Sequence, residues 1–190
     1  MKVKHLEHVQ IGTFEVTQDT LIISDPCYPH GSRGCQKLCS VKPGLWTASI
    51  GAVEMEDGER LIAYLSVLHP DCTDIRTLRI HDAPFLIPVD SRQAGIFDFR
   101  HYQDPSVIRD QPRFDFGDLW YSACCDQTMD RDYNAGVIPF GVVASSGYGD
   151  GYYRCMYLTT QDKQAPITCG AIVDFNFVKP HQILRQLCAK

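Results

Sequence analysis

The sequence predicts a mainly β fold (β-rich α+β) in which two packed antiparallel sheets, or one partly open barrel, carry one or two short helices. Three observations support this prediction. Runs rich in β-branched and aromatic residues recur along the chain, turn residues separate them, and only two segments have helical character. With 190 residues, 44% of them hydrophobic and 22% charged, the chain is expected to form a single globular domain over residues 1–190.

The first half of the chain is predicted to consist of strands and turns. The run that begins near Thr20 ends at Asp25 and Pro26, because proline cannot donate to a strand ladder. The acidic turn at residues 56–59 joins two apolar flanks into a hairpin. Strands are expected at residues 9–11, 13–16, 20–24, 45–55, 60–68, 75–80, 85–89 and 94–99.

The second half combines a polar excursion, a helix and a β-meander. Residues 100–117 are polar and contain two prolines, so we expect a surface segment. Asp118 is a suitable N-cap for a helix over residues 119–129. Three β-prone runs at residues 137–145, 152–159 and 167–177 predict a meander, with turns at the glycine cluster and around Asp162 and Lys163. Helical spacing follows Pro180.

The charge and the apolar pattern narrow the classes of partner. A formal net charge of −5 argues against nucleic-acid binding, because the phosphate backbone selects basic surfaces. No stretch approaches the ~20 apolar residues of a membrane helix, and the N-terminal residues lack a signal-peptide core. We therefore expect a cytoplasmic protein that contacts neither membrane nor nucleic acid and whose nine cysteines are free thiols.

The glycine-rich segment between two predicted strands is the first candidate site. Its alternating glycines allow positive φ and the close approach of another group, and its N–H groups suit an anion-binding nest. The alternative is a tight hairpin turn in which Asp150 and Gly151 supply the turn geometry. The candidate ligand-binding residues are Ser146, Gly147, Tyr148, Gly149, Asp150 and Gly151.

The end of the second strand offers a candidate nucleophile. Cys27 follows Asp25 in a loop stiffened by proline, and a cysteine nucleophile requires a histidine beside it, such as His30. The candidate catalytic residues are therefore Cys27, Asp25 and Asp150. The alternative is a packed thiol beside an Asx turn at Asp25.

Four aspartates at predicted strand ends or turns form a candidate metal site. Asp25, Asp90, Asp98 and Asp150 would supply the oxygen ligands that Ca²⁺ or Mg²⁺ prefers, if the fold brings them together. Paired carboxylates would equally suit acid–base chemistry. The alternative is that each aspartate caps its own turn.

The segments GTFEV, SDPCY, VDSRQAG and SSGYGDGYY together resemble a bacterial and phage family catalogued as domain of unknown function 4241. The resemblance covers residues 12–177, and the late glycine motif, followed by a strand that ends at Asp174, is its most specific part. The family pattern has a glycine where this chain has Arg92. The resemblance implies a bacterial or phage source and no particular reaction. It strengthens the four aspartates, Cys27 and the glycine turn as candidates.

The leading hypothesis from the sequence is a binding module that takes a small ligand or a partner protein at the glycine-rich loop. Two alternatives are an enzyme that uses Cys27 and a metal-assisted hydrolase whose aspartates hold a divalent cation. All three require segments far apart in the chain to meet in one place. Whether the chain is an enzyme, and its oligomeric state, are left open at this stage.

Overall fold

The structure is a computed structural model that describes residues 2–72, 74–129, 132–162 and 164–188. These residues form strands, two α-helices and four short 3₁₀ helices. The strands are β1 (Val3–Val16), β2 (Thr20–Ser24), β3 (Gln36–Cys39), β4 (Gly44–Met55), β5 (Arg60–Leu68), β6 (Arg79–Val89), β7 (Gln93–Asp98), β8 (Ala135–Ile138), β9 (Gly141–Ser145), β10 (Gly151–Thr159) and β11 (Thr168–Asp174). The α-helices are α1 (Leu119–Met129) and α2 (Pro180–Cys188), and the 3₁₀ helices are Pro70–Cys72, Ile75–Thr77, Phe99–His101 and Pro105–Val107.

The strands form two sheets in which every neighbouring pair of strands is antiparallel. The six-stranded sheet has the order β1-β4-β5-β11-β10-β6, and the five-stranded sheet has the order β3-β2-β7-β9-β8. The prediction of a mainly β fold with two antiparallel sheets and short helices is confirmed, and the sheets do not close into a barrel.

The sheets and helices stack as helix, sheet, sheet and helix. The main core lies between the sheets, where alternate residues of β4, such as Trp46 and Ile50, point inward. On the outer face of the six-stranded sheet, α2 buries Ile183 against Tyr64. On the outer face of the five-stranded sheet, α1 buries Trp120. No helix among the described residues has the length and apolar character to cross a membrane.

Several local predictions were wrong. The glycine-rich segment does not turn within a meander, because β9 belongs to the five-stranded sheet and β10 to the six-stranded sheet. The run at residues 137–145 is itself a hairpin of β8 and β9. The strand expected at residues 75–80 begins as a 3₁₀ helix over Ile75–Thr77 and only its last two residues belong to β6, whereas β3 was not predicted. The second predicted meander turn includes Lys163, which lies outside the described residues.

Candidate functional site

Asp25 directly follows β2, and its fully buried carboxylate holds the turn between β6 and β7. Its Oδ1 atom accepts hydrogen bonds from the Cys27 N–H at 2.9 Å and from the Ser91 hydroxyl at 2.5 Å. Its Oδ2 atom accepts from the N–H groups of Asp90 and Ser91 at 2.8 and 2.6 Å. Donors thus occupy both oxygens, as expected for a buried carboxylate that stabilises its surroundings.

The glycine-rich loop contacts the same turn from the other side. Asp150 Oδ1 accepts a hydrogen bond from the Arg92 N–H at 3.1 Å, and the Ser146 N–H donates to the Arg92 carbonyl oxygen at 3.0 Å. Arg92 has a φ of 60°, in the region that favours glycine. The segments that carry Asp25, Asp90 and Asp150 therefore meet at the β6–β7 turn.

Hydrogen bonds inside the glycine-rich loop join Ser146 to Gly149 and Tyr153 to both. The Ser146 hydroxyl donates to the Gly149 carbonyl oxygen at 2.7 Å. The Tyr153 hydroxyl lies 2.6 Å from the Gly149 carbonyl oxygen and 2.9 Å from that of Ser146. Tyr148 points outward with 54% of its surface exposed. Positive φ angles occur at Gly147, Gly149 and Gly151.

Asp98, the fourth candidate carboxylate, lies at the opposite end of β7. Its oxygens accept from the Thr17 N–H and hydroxyl at 2.8 and 3.0 Å, and its Oδ2 atom lies 2.8 Å from Nδ1 of His101. Asp98 is the last of the six residues of β7, so it lies ~20 Å from the β6–β7 turn. The four proposed ligands do not come together. Within the described ranges, no group of three or more His, Cys, Asp or Glu side chains is placed to hold a metal ion.

Cys27 is exposed but lacks the surroundings of a nucleophile. Partial burial of the thiol, a hydrogen bond to Asp25 and the nearby charges of Asp25 and Asp90 raise the pKa of Cys27 to about 12. His30 packs its ring against Phe99, with the ring centroids 5.1 Å apart. Because the thiolate is the reactive form, this raised pKa disfavours reaction of the sulfur at neutral pH.

Alkylation of Cys27 by iodoacetamide near pH ~7.5 is expected to be roughly tenfold or more slower than that of free cysteine. Mass spectrometry of digested samples over a time course measures the rate at each thiol. Cys39 and Cys188, which are also exposed, serve as references within the same chain. Labelling of Cys27 faster than both references would contradict the assignment of a protonated thiol and would revive the cysteine-enzyme hypothesis.

A second concave region, called here the outer cleft, lies on the outer face of the six-stranded sheet, beside the end of α2. Its volume is about 490 Å³. Three strands contribute its floor, and the 3₁₀ helix Ile75–Thr77 and α2 contribute to its walls. The lining includes His8 of β1, Ser49 of β4, Ser66 of β5, Ile75 and Arg76 of that 3₁₀ helix, and Leu187 of α2.

The floor of the outer cleft is polar, although the residues that form it have little surface accessible to solvent. Ser49 and Ser66 lie opposite each other in the β4–β5 ladder and are 4% and 3% exposed. The Ser66 hydroxyl donates to the Ser49 carbonyl oxygen at 3.2 Å. Within the described part of the chain, the Ser49 hydroxyl makes no hydrogen bond. Buried hydroxyls that line a cavity are the groups that orient ligands in proteins.

The comparisons give the chain no relative. No family model, no curated protein and no solved structure matches it. The resemblance to domain of unknown function 4241 therefore stays a prediction, and the function must be argued from the geometry alone.

The sequence analysis missed the outer cleft. One signal was present, because Ser49 and Ser66 lie within two largely apolar runs of a correctly predicted hairpin. Polar residues facing each other in an apolar ladder indicate a face that is not packed against a core. One wall comes from Ile75, soon after the end of β5, and another from Leu187, far away in the chain, and the sequence gives no indication that Leu187 lies beside this hairpin.

Proposed function

We propose that this chain is a binding domain that takes a small ligand in the outer cleft. One observation carries the proposal: the floor holds the Ser49 hydroxyl, which is almost fully buried and open to a cavity of about 490 Å³. Cavities of ~300–1,000 Å³ with apolar walls and a few convergent polar groups are the usual small-molecule sites. The Ser49 hydroxyl lines the cavity and makes no hydrogen bond within the described part of the chain, so a ligand can replace solvent there with a direct hydrogen bond.

The wall chemistry fits reversible binding. Leu68, Ile75 and Leu187 offer apolar surface to the body of a ligand, and the serine hydroxyls offer hydrogen bonds at the floor. The His69 Nδ1 atom accepts the Asp71 N–H at 3.2 Å, so this nitrogen is not available as a base toward a ligand. The proposal therefore assigns binding and no reaction to the outer cleft.

Replacing Ser49 with leucine is expected to abolish small-molecule binding, because the new side chain fills the cavity from its floor. The probe is a fragment library screened by ¹H–¹⁵N chemical-shift perturbation, where hits should shift amides around Ser49 and Ser66. Gln10→Leu is the matched control, since Gln10 pairs with Ser49 across the β1–β4 ladder but does not line the cavity. The same fragments should bind that variant with Kd values within roughly twofold of the unsubstituted protein.

The result that contradicts the proposal is equally specific. If no fragment shifts the amides near Ser49, or if Ser49→Leu binds the same fragments as before, the outer cleft is not a ligand site. Ser66→Ala removes a hydroxyl without filling space, and it tests the proposal even if the Ser49→Leu variant does not fold. It should weaken binding and leave the cavity open.

A second candidate function is the binding of a partner protein beside the glycine-rich loop. Tyr152 is 71% exposed, Leu86 is 51% exposed and Tyr148 is 54% exposed. Tyr152 and Leu86 border a shallow, open concavity of about 550 Å³ that also includes Tyr28. Neighbouring exposed aromatic and apolar side chains are typical of protein interfaces. If fragments shift the amides of Tyr152 and Leu86 and not those of the outer cleft, this candidate becomes the stronger one.

A further inference from the structure

We propose that the outer cleft selects uncharged, planar ligands that carry an amide-like edge, with a hydrogen-bond donor beside an acceptor. This inference rests on the proposed function and adds the chemical class of the ligand. It depends on three features of the cleft: the charges on its rim, the hydrogen-bonding capacity of its floor and the apolar character of its walls.

The charges on the rim cancel each other. Arg76 donates from Nε and a terminal nitrogen to the two carboxylate oxygens of Asp74, at 2.8 and 3.1 Å. The Arg76 side chain is 80% exposed, so this ion pair stands at the mouth of the cleft and away from its floor. The two opposite charges of this pair largely offset each other at the mouth of the cleft.

One of the two histidines that line the cleft, His69, does not add a charge. His69 is buried, and its Nδ1 atom accepts the Asp71 N–H. Burial, and secondly the nearby Lys42 ammonium, lower the pKa of His69, so its ring is neutral at neutral pH. An anionic ligand therefore finds no cation at this position.

The floor offers one acceptor and one donor side by side. The Ser66 hydroxyl donates its hydrogen to the Ser49 carbonyl oxygen. Its lone pairs are therefore left to accept a hydrogen bond from a ligand N–H. The Ser49 hydroxyl has no partner within the described residues and is free to donate to a ligand carbonyl. An amide, lactam or imide edge presents this N–H and C=O pair to the two hydroxyls.

Burial of the floor disfavours a charged ligand. Because Ser49 and Ser66 are more than nine-tenths buried, a carboxylate or ammonium that reaches them gives up its hydration. Hydrogen bonds to two neutral hydroxyls compensate only part of the hydration that an ion loses. The same two hydrogen bonds can replace the water contacts of the N–H and the C=O of an amide. Ile75 and Leu187 supply apolar wall surface against which a ring can pack.

Matched fragment pairs that differ only in charge test this inference. The probes are nicotinamide against nicotinate and benzamide against benzoate, with benzylamine as a cation, each titrated into ¹⁵N-labelled protein. We expect each amide to shift the amides around Ser49 and Ser66 and to bind at least ~tenfold more tightly than its acid. Ser66→Ala should reduce this preference for the amide to roughly threefold or less, while Gln10→Leu leaves it unchanged.

The failures of the two proposals are distinguishable. If the acids or benzylamine bind at the outer cleft as tightly as the amides, the ligand class assigned here is wrong and the binding function survives. If none of these probes, and no member of the fragment library, shifts residues of the outer cleft, the binding function fails together with the ligand class. An amide preference that persists in Ser66→Ala overturns the assignment of that hydroxyl as the acceptor.

Discussion

Replacing Asp25 with alanine is expected to lower the free energy of unfolding by about 3–5 kcal/mol, which is large for a single substitution. The carboxylate accepts hydrogen bonds from the N–H groups of Cys27, Asp90 and Ser91 and from the Ser91 hydroxyl. Alanine leaves these donors without the fully buried acceptor that now joins them. Urea unfolding followed by tryptophan fluorescence and far-UV circular dichroism measures the loss.

Two further variants show whether the loss comes from this hydrogen-bond network. Asp150→Ala removes one bond to the Arg92 N–H and should cost about 1 kcal/mol or less. Asp25→Asn keeps one oxygen acceptor but turns an amide NH₂ toward N–H donors, so its cost should lie between the other two. If Asp25→Ala costs no more than Asp150→Ala, the carboxylate does not stabilise the fold, and a binding or catalytic role for Asp25 would regain support.

The hypotheses required the aspartate-bearing segments to meet, and three of the four do so at the β6–β7 turn. Asp25, Asp90 and Asp150 each lie next to a strand boundary, and strand ends on one side of a sandwich are neighbours. Asp98 does not join them, because it lies at the other end of the sandwich. It is the last of the six residues of β7, which rises ~3.3 Å per residue away from the β6–β7 turn.

The interpretation of the glycine-rich segment failed for a different reason. Local periodicity identifies a strand but not the sheet to which it belongs, because the partner strand is chosen by packing far away in the chain. The segment at 146–150 therefore crosses between sheets, and its glycines serve that crossing. The short β3 strand escaped prediction because it follows a loop rich in glycine and proline and has only four residues.

Replacing Gly51 with alanine is expected to lower the free energy of unfolding by about 3 kcal/mol, because the added methyl group has no room. A Cβ atom at this position would lie 2.0 Å from Cε1 and 2.4 Å from Cδ1 of Tyr64. Tyr64 is fully buried, and its hydroxyl lies 2.9 Å from Nδ1 of His8 at the outer cleft. The ring cannot move without disturbing the core beneath α2, so amide fragments should also bind this variant more weakly.

A double-mutant cycle assigns the cost of Gly51→Ala to this one contact. Tyr64→Leu removes the ring atoms that the methyl group would meet, so in that background Gly51→Ala should cost less than about 1 kcal/mol. It could even stabilise that variant, since alanine loses less backbone entropy than glycine on folding. An equal cost in both backgrounds would mean that Gly51 is needed for its backbone and not for the space it leaves. The close packing of Tyr64 over β4 would then not be what positions His8 at the outer cleft.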